Sequence, residues 1–287
     1  MRSFLTRIIP ELIRINITLS VTLSAFAAGV MASGELSLKL IFALIAIFFL
    51  ACGASVLNQV QEKDQDAKMD RTKNRPVPSG RLSSQMALLI AIIFLFSGFV
   101  ILSALLDWTC FVLGILNILW YNGFYTWLKK KTAFAVVPGA LSGVIPVFMG
   151  WSAGGGSLYE LPVLFLAFFL FIWQIPHFWL LMLNYEDEYR AAGFPVMTDI
   201  FTIRQFRNII VAWMVGITGT SLFLVLSGLW IFPVSKIIII VLNLLILGLF
   251  LKQLFFSEAP RYKILFITLN TFLVVVLCLV IVEKVLS

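Results

Sequence analysis

Asn58, Glu62, Asp66 and Asp70 stand four residues apart where an apolar run ends, in the stretch NQVQEKDQDAKMDRTKNRPVPSGR covering 58–81. On a continuing helix they share one face, about one turn from each other. Three carboxylates so spaced repel, and Asp64 adds a fourth nearby, so the pattern is costly unless a cation sits among them. The sign then reverses through Arg71, Lys73, Arg75 and Arg81. Oxygen ligands beside a group of cations suit a magnesium ion carrying a phosphate or diphosphate, because Mg2+ takes one or two carboxylates plus phosphate oxygens. Charge content alone also fits a solvated loop whose acids balance its bases. The repeated i, i+4 carboxylates at a helix end favour a site.

The elements that must position this stretch are set by composition. The chain is 61% hydrophobic and 12% charged, with 27 Phe and a mean hydropathy of +1.03. This describes an integral membrane protein. Nine apolar runs, near 12–32, 37–60, 84–105, 108–127, 134–152, 159–183, 206–229, 231–251 and 263–285, are each long enough to cross a ~30 Å hydrocarbon layer. The expectation is an all-α, polytopic bundle of nine transmembrane helices forming one domain over residues 1–287. Lys39, Lys236 and Lys284 fall on one side of that bundle and the other 18 of the 21 Lys and Arg on the opposite side. The positive-inside rule then puts the N-terminus in the cytoplasm and the C-terminus on the far side. A net charge of +7 is explained by topology, with anionic lipid, and calls for no nucleic acid. The opening MRSFLTRIIPEL has no apolar stretch followed by a small-residue cleavage site, so the first span is expected to be retained. Cys52, Cys110 and Cys278 lie in apolar runs without metal-ligand spacing and read as packing residues.

Other polar elements fall on the same side. Glu186, Asp187, Glu188 and Asp199 make a second acidic segment, LNYEDEYRAAGFPVMTDI. Two acidic segments on one face invite a divalent cation between them. YTWLKKKT (125–132) ends the fourth run; Lys131 reads as an orientation anchor, whereas Lys129 or Lys130 can point inward at a diphosphate. Arg14, at the edge of the first run, has the same two readings: it can point inward at a diphosphate, or snorkel to the interface, the simpler explanation. His177, the single histidine, sits in FIWQIPHFWLL and reads first as a hydrogen-bonded packing residue.

The 58–80 stretch resembles the first aspartate-rich motif, N-x3-D-x3-D, of the UbiA-type intramembrane prenyltransferases. Its D-x-K-M-x-R-T-x-x-R-P continuation is most like the protoheme IX farnesyltransferases, or haem o synthases, within that family. YTWLKKKT, PGALSGVIPVFMGW (138–151), WQIPHFW and EDEYRAAGFPVM extend the likeness across most of the chain. The resemblance implies a nine-span bundle around a lipid-facing cavity. It implies Asn58, Glu62, Asp66 and Glu188 as catalytic residues and Mg2+ ligands. It implies Arg71, Arg75, Lys129, Tyr125, Arg14 and Tyr189 at the substrates, and His177 at a tetrapyrrole. Glu62 and Glu188 stand where the family usually has Asp, and Ala135 where it commonly has a polar residue. The implied reaction moves a farnesyl group from farnesyl diphosphate to a vinyl group of haem b. Its implied setting is a bacterial cytoplasmic (inner) membrane, with handover of the product to a haem a synthase or terminal oxidase. Two alternatives stand beside this reading. One is a relative acting on another aromatic or quinone-precursor acceptor. The other is a transporter, which is expected to carry broken helices and polar groups at the midplane, whereas these acids cluster at helix ends.

Overall fold

The computed structural model describes residues 8–226 and 232–286, all helix and connecting turns, with no strand among them. The membrane segments are α1 (Ile15–Ser33), α2 (Leu38–Gln61), α3 (Ser84–Leu105), α4 (108–128), α5 (Ala133–Ala153), α6 (Leu161–Asn184), α7 (Ile203–Leu226), α8 (Pro233–Phe255) and α9 (Tyr262–Leu286). Eight are helical segments long and apolar enough to cross a membrane, α5 starting as a 3-10 turn at Ala133–Ala135 and interrupted at Ala140. The ninth expected span, α4, is helical throughout but interrupted by a π-helical stretch, Leu119–Tyr125, so its α-helical parts are Trp108–Ile118 and the short turn Thr126–Leu128. The predicted end of the seventh span at 229, the start of the eighth at 231, and Arg2 and Arg7 lie outside the described residues. The chain is a multi-pass membrane protein.

Local chemistry sets the helix starts. Ser37, Ser83 and Asp107 each take extended backbone and accept from an amide three residues on, at 3.2, 3.2 and 2.9 Å, which satisfies an orphan donor of the first turn. Asp107 also meets Lys39 Nζ at 3.1 Å, at the bundle end remote from the acidic segments. Burial acts to raise the Asp107 pKa, but the Cys110 amide and Lys39 together hold it below the ordinary carboxylate range.

Small residues let helices touch by their backbones, the contact favoured where lipid removes any hydrophobic drive between spans. A Cβ on Gly150 of α5 would run into the Ala25 carbonyl of α1, and one on Gly154 into the Gly29 carbonyl. Gly53 and Gly98 admit Leu95 and Leu50 between α2 and α3 in the same way. The outer face of α3 exposes Leu89, Ile92, Ile93 and Phe96, an apolar surface suited to acyl chains. Cys52 and Cys110 are buried as expected, but Cys278 is exposed on α9, because its helix leaves that face to lipid.

Candidate active site

α2 ends at Gln61. Glu62 departs from helical geometry (φ −116°, ψ 13°), one further turn runs Lys63–Asp66, and the chain then leaves the helix. The acidic face therefore carries Asn58, Glu62 and Asp66 inward and stops. Asp70 is exposed and pairs with Lys73. The expectation of four aligned groups is corrected to three, because the helix does not continue far enough to aim the fourth.

All three survivors are buried. Asn58 donates from Nδ2 to Thr126 Oγ1 at 3.3 Å, while its Oδ1 has no hydrogen-bond partner. Glu62 is ion-paired with Lys129. Asp66 Oδ2 accepts from Arg75 Nη1 at 2.8 Å and lies 3.9 Å from Arg14 Nη2. Burial, and after it the like charge of Arg14, push the Arg75 guanidinium down to about 10; Asp66 opposes that fall. A second anion nearby would oppose it further.

Arg14 does not snorkel. It is the one non-glycine residue with positive φ among the described residues (φ 51°, ψ 57°), and this left-handed turn just before α1 brings its side chain inward to Asp66. Backbone of that kind is held only where its surroundings enforce it. Buried Gln59 supplies the restraint, donating from Nε2 to the carbonyls of Glu11 and Leu12 at 3.0 and 2.9 Å.

The π-helical stretch of α4 is fastened to α2 by a reciprocal amide pair. Gln61 Nε2 donates to the Asn122 carbonyl at 2.9 Å, and Asn122 Nδ2 donates to Gln61 Oε1 at 3.1 Å and to the Ala54 carbonyl at 3.0 Å. A π-helix leaves one extra residue in a turn and often marks a functional position. Here it sends Tyr121 and Tyr125, stacked at 5.8 Å, toward the acidic face. Gly139 is required opposite, since a Cβ there would collide with the Tyr125 ring. Of the lysines that follow, Lys129 turns inward, Lys130 Nζ donates to the Gln61 carbonyl at 3.2 Å, and Lys131 lies over the exposed Trp127 ring.

These groups surround a chamber of about 280 Å3. Arg14, Arg71, Arg75 and Lys129 meet Glu62 and Asp66 at its mouth, four cations against two carboxylates. Beneath them the wall is mainly apolar and includes Ile17, Val21, Ile47, Leu50, Met149 and Phe178, with Ser55, Asn117, Thr132, Ser142 and Gln174 among its polar members. Ala135, where a polar residue was the familial norm, contributes another apolar wall.

The second acidic segment closes over this mouth through Arg71. Glu188 Oε2 accepts from the Arg71 amide at 3.0 Å, and the Arg71 guanidinium lies over the rings of Tyr185 and Tyr189, 5.4 and 5.9 Å from their centroids. Met69, Ala192 and Phe194 form a small apolar plug between the two segments, with Tyr189 packed on it. Glu188 does not line the chamber. Nor does His177, whose ring sits 4.7 Å from those of Trp173 and Phe266, beside α9. Among the described residues no three His, Cys, Asp or Glu converge as a protein-only metal cage. The donors present are hard oxygens: Glu62, Asp66 and the unpartnered Oδ1 of Asn58. Such a set fits Mg2+, which completes its shell with phosphate oxygens and water.

Sequence reading missed Tyr121, Gln174, Asn117 and Phe194 as chamber residues. For Tyr121 a signal existed, the Y-x3-Y-x3-K spacing up to Lys129.

Comparison with known proteins places the chain by sequence and by fold. The profile of the UbiA prenyltransferase family matches residues 18–281. A protoheme IX farnesyltransferase of Oleidesulfovibrio alaskensis is 39% identical over 188 residues, 65% of this chain and 66% of that relative, just under two thirds of its length. One from Christiangramia forsetii is 35% identical over 240 residues, 82% of this chain and 79% of the relative. Among solved structures, a digeranylgeranylglyceryl phosphate synthase superimposes with a TM-score of 0.79 at 16% identity, covering 100% of both chains. A UbiA homologue from Archaeoglobus fulgidus bound to GPP and Mg2+ superimposes at 0.71 with 16% identity, covering 97% of this chain and 99% of that one.

Proposed function

The chain belongs to the UbiA prenyltransferase family, and on that premise we propose that it transfers a farnesyl group from farnesyl diphosphate to a vinyl group of haem b, giving haem o. The observation that carries this reading is the pairing of surplus positive charge with an apolar chamber directly beneath it. A prenyl diphosphate has the complementary shape: a multiply charged head and a hydrocarbon tail. We place the mouth at the cytoplasmic face of a bacterial cytoplasmic membrane, with the N-terminus inside and the C-terminus outside, following the lysine and arginine distribution.

Arg14, Arg71, Arg75 and Lys129 bind the diphosphate and balance the negative charge that grows on it as the allylic C–O bond breaks, its electron pair leaving with the bridging oxygen. Asn58, Glu62 and Asp66 are the residues that would hold Mg2+, which supplies Lewis-acid stabilisation of the same leaving group when bound. Glu188 would join that set only by giving up the Arg71 amide. Tyr121 and Tyr125 place π faces between the charged mouth and the chamber, where they can stabilise an allylic cation. The apolar wall keeps water from quenching that cation early. The allylic carbon then bonds the terminal vinyl carbon. Water adds its hydroxyl to the adjoining carbon and releases a proton.

The test is purified protein with farnesyl diphosphate, Mg2+ and haem b, read by mass spectrometry. Haem gaining one farnesyl and one hydroxyl is the expected product. An unchanged haem with Mg2+-dependent prenylation of an aromatic quinone precursor would replace the acceptor. That second reading is favoured by one observation, the position of His177 outside the chamber lining. Uptake of a solute into vesicles with no chemical product would replace the reaction altogether. A haem a synthase or terminal oxidase is the expected recipient of haem o.

A further inference from the structure

Arg71 and Arg75 line two spaces. One is the chamber; the other is an open polar cup on the outer side of the same loop, bounded by Glu11, Arg71, Asn74, Arg75, Ser79 and Arg81. The loop that builds the cup is fixed from below, with Thr72 Oγ1 donating to the Asp66 carbonyl at 2.8 Å and Ser79 N donating to the Arg75 carbonyl at 3.0 Å. Arg81 forms the far rim. Its Nε donates to Ser79 Oγ at 3.2 Å, and its Nη2 meets both the Asn74 carbonyl and the Glu11 carboxylate. The Arg81–Glu11 pair is exposed, with side chains 40% and 47% accessible, so water screens it and it opens at little cost.

The reaction above leaves two products of opposite solubility. The prenylated product keeps haem's propionates but gains a long hydrocarbon tail, and can leave between helices into lipid with its carboxylates at the interface. Inorganic diphosphate cannot cross hydrocarbon and must leave on the aqueous side. We propose that the cup is a binding site for inorganic diphosphate on its way out, with Arg71 and Arg75 passing the anion from the chamber to Arg81. This rests on the prenyl-transfer reading for the origin of the anion, but not for the existence of the site. Three guanidiniums border the cup, Arg81 on the exchangeable Glu11, Arg75 on Asp66 from the chamber side and Arg71 stacked over Tyr185 and Tyr189; their remaining N–H groups suit an anion with several oxygens. Glu11 occupies the place that the diphosphate takes.

The test uses opposite substitutions of that one ion pair. Full-chain protein in phosphatidylcholine nanodiscs is titrated calorimetrically with inorganic diphosphate and Mg2+, without prenyl donor. Arg81→Ala is expected to weaken binding ~fivefold or more, Arg81→Lys to retain most of it, and Glu11→Gln to tighten it ~twofold to fivefold. A pair with only a structural role would move both Arg81→Ala and Glu11→Gln in the same direction. That result, or no change in either, overturns the proposal. Nanodiscs containing phosphatidylglycerol separate the other source of phosphate oxygens. If anionic lipid abolishes diphosphate binding in the wild type, the cup belongs to headgroups and the proposal fails. Opposite shifts without any prenylated product would leave the cup standing and remove the transfer reading. Product formation with same-direction shifts would do the reverse.

Discussion

Asp66 Oδ2 accepts from Arg75 Nη1 at 2.8 Å while Arg14 stands 3.9 Å away on the other side. One buried carboxylate is thus shared by two guanidiniums that both face the chamber. The acid is committed to cations in this arrangement; on the proposed mechanism it would be freed for metal when a diphosphate takes those cations over. The same exchange applies at Glu62 with Lys129.

Asp66→Ala is therefore expected to abolish Mg2+-dependent transfer, lowering it by at least ~10²–10³-fold. Asp66→Asn keeps an acceptor for Arg75 and is expected to match that loss of activity while unfolding at a temperature closer to the wild type. Product yield by mass spectrometry and thermal melting in detergent check the two halves separately. Full activity in Asp66→Ala would remove this face from the mechanism.

Chelation of divalent cations is expected to stop transfer, and Mg2+ to restore it. Ca2+ should restore much less, since it prefers more oxygen ligands at longer distances than two carboxylates, an amide and a diphosphate provide. Initial rates against added metal decide the matter.

Gln61→Leu breaks the reciprocal amide pair and strands the buried Asn122 side chain and carbonyl. A loss of about 1–3 kcal/mol in stability is expected, with at least a tenfold fall in rate because Tyr121 and Tyr125 lose their setting. Asn122→Leu should do the same, and the double variant should cost much less than the two single losses added together. Additive losses would show that the pair does not couple α2 to α4.

Gly150→Ala places a methyl against the Ala25 carbonyl, a backbone atom that cannot rotate away. It is expected to destabilise by more than about 2 kcal/mol or to prevent accumulation of folded protein. Gly219→Ala in α7 meets nothing within 4 Å and should be neutral or slightly stabilising. Paired melting curves check the contrast.

Asp107 supplies a pH-dependent element at the opposite end of the bundle. Its folded pKa is lowered, so the stability it contributes is present above the ordinary carboxylate range and is lost as pH falls through its lowered value. Asp107→Asn keeps the cap but should flatten stability against pH in that acidic window. An unchanged profile would show that another acid governs it.

Much of the bundle was legible in the sequence for a plain reason: spans end where capping and charge begin. α3 was read as 84–105 and runs Ser84–Leu105, because Ser83 starts it and the apolar run stops at Asp107. Glu62 and Asp66 were legible from spacing. Asp70 was misjudged because periodicity cannot tell where tertiary contacts halt a helix. Arg14 looked like a snorkelling residue because side-chain chemistry is visible in sequence and a left-handed backbone turn at a non-glycine residue is not. Glu188 and His177 were placed at the site by the family resemblance, yet Arg71 and the α9 aromatics hold them where they stand, outside the chamber lining. Tyr121 escaped notice although its four-residue spacing to Tyr125 and Lys129 was legible, because its direction depends on a π-turn that spacing alone does not reveal.

The extra residue between Leu119 and Tyr125 is taken up locally by the wide turn. Removing one position there would restore ordinary winding and abolish the turn that carries Tyr121 and Tyr125 toward the acidic face. Substitutions on the lipid side of this segment should be borne easily, but a one-residue deletion should not. The segment tolerates changes of letter and forbids changes of length.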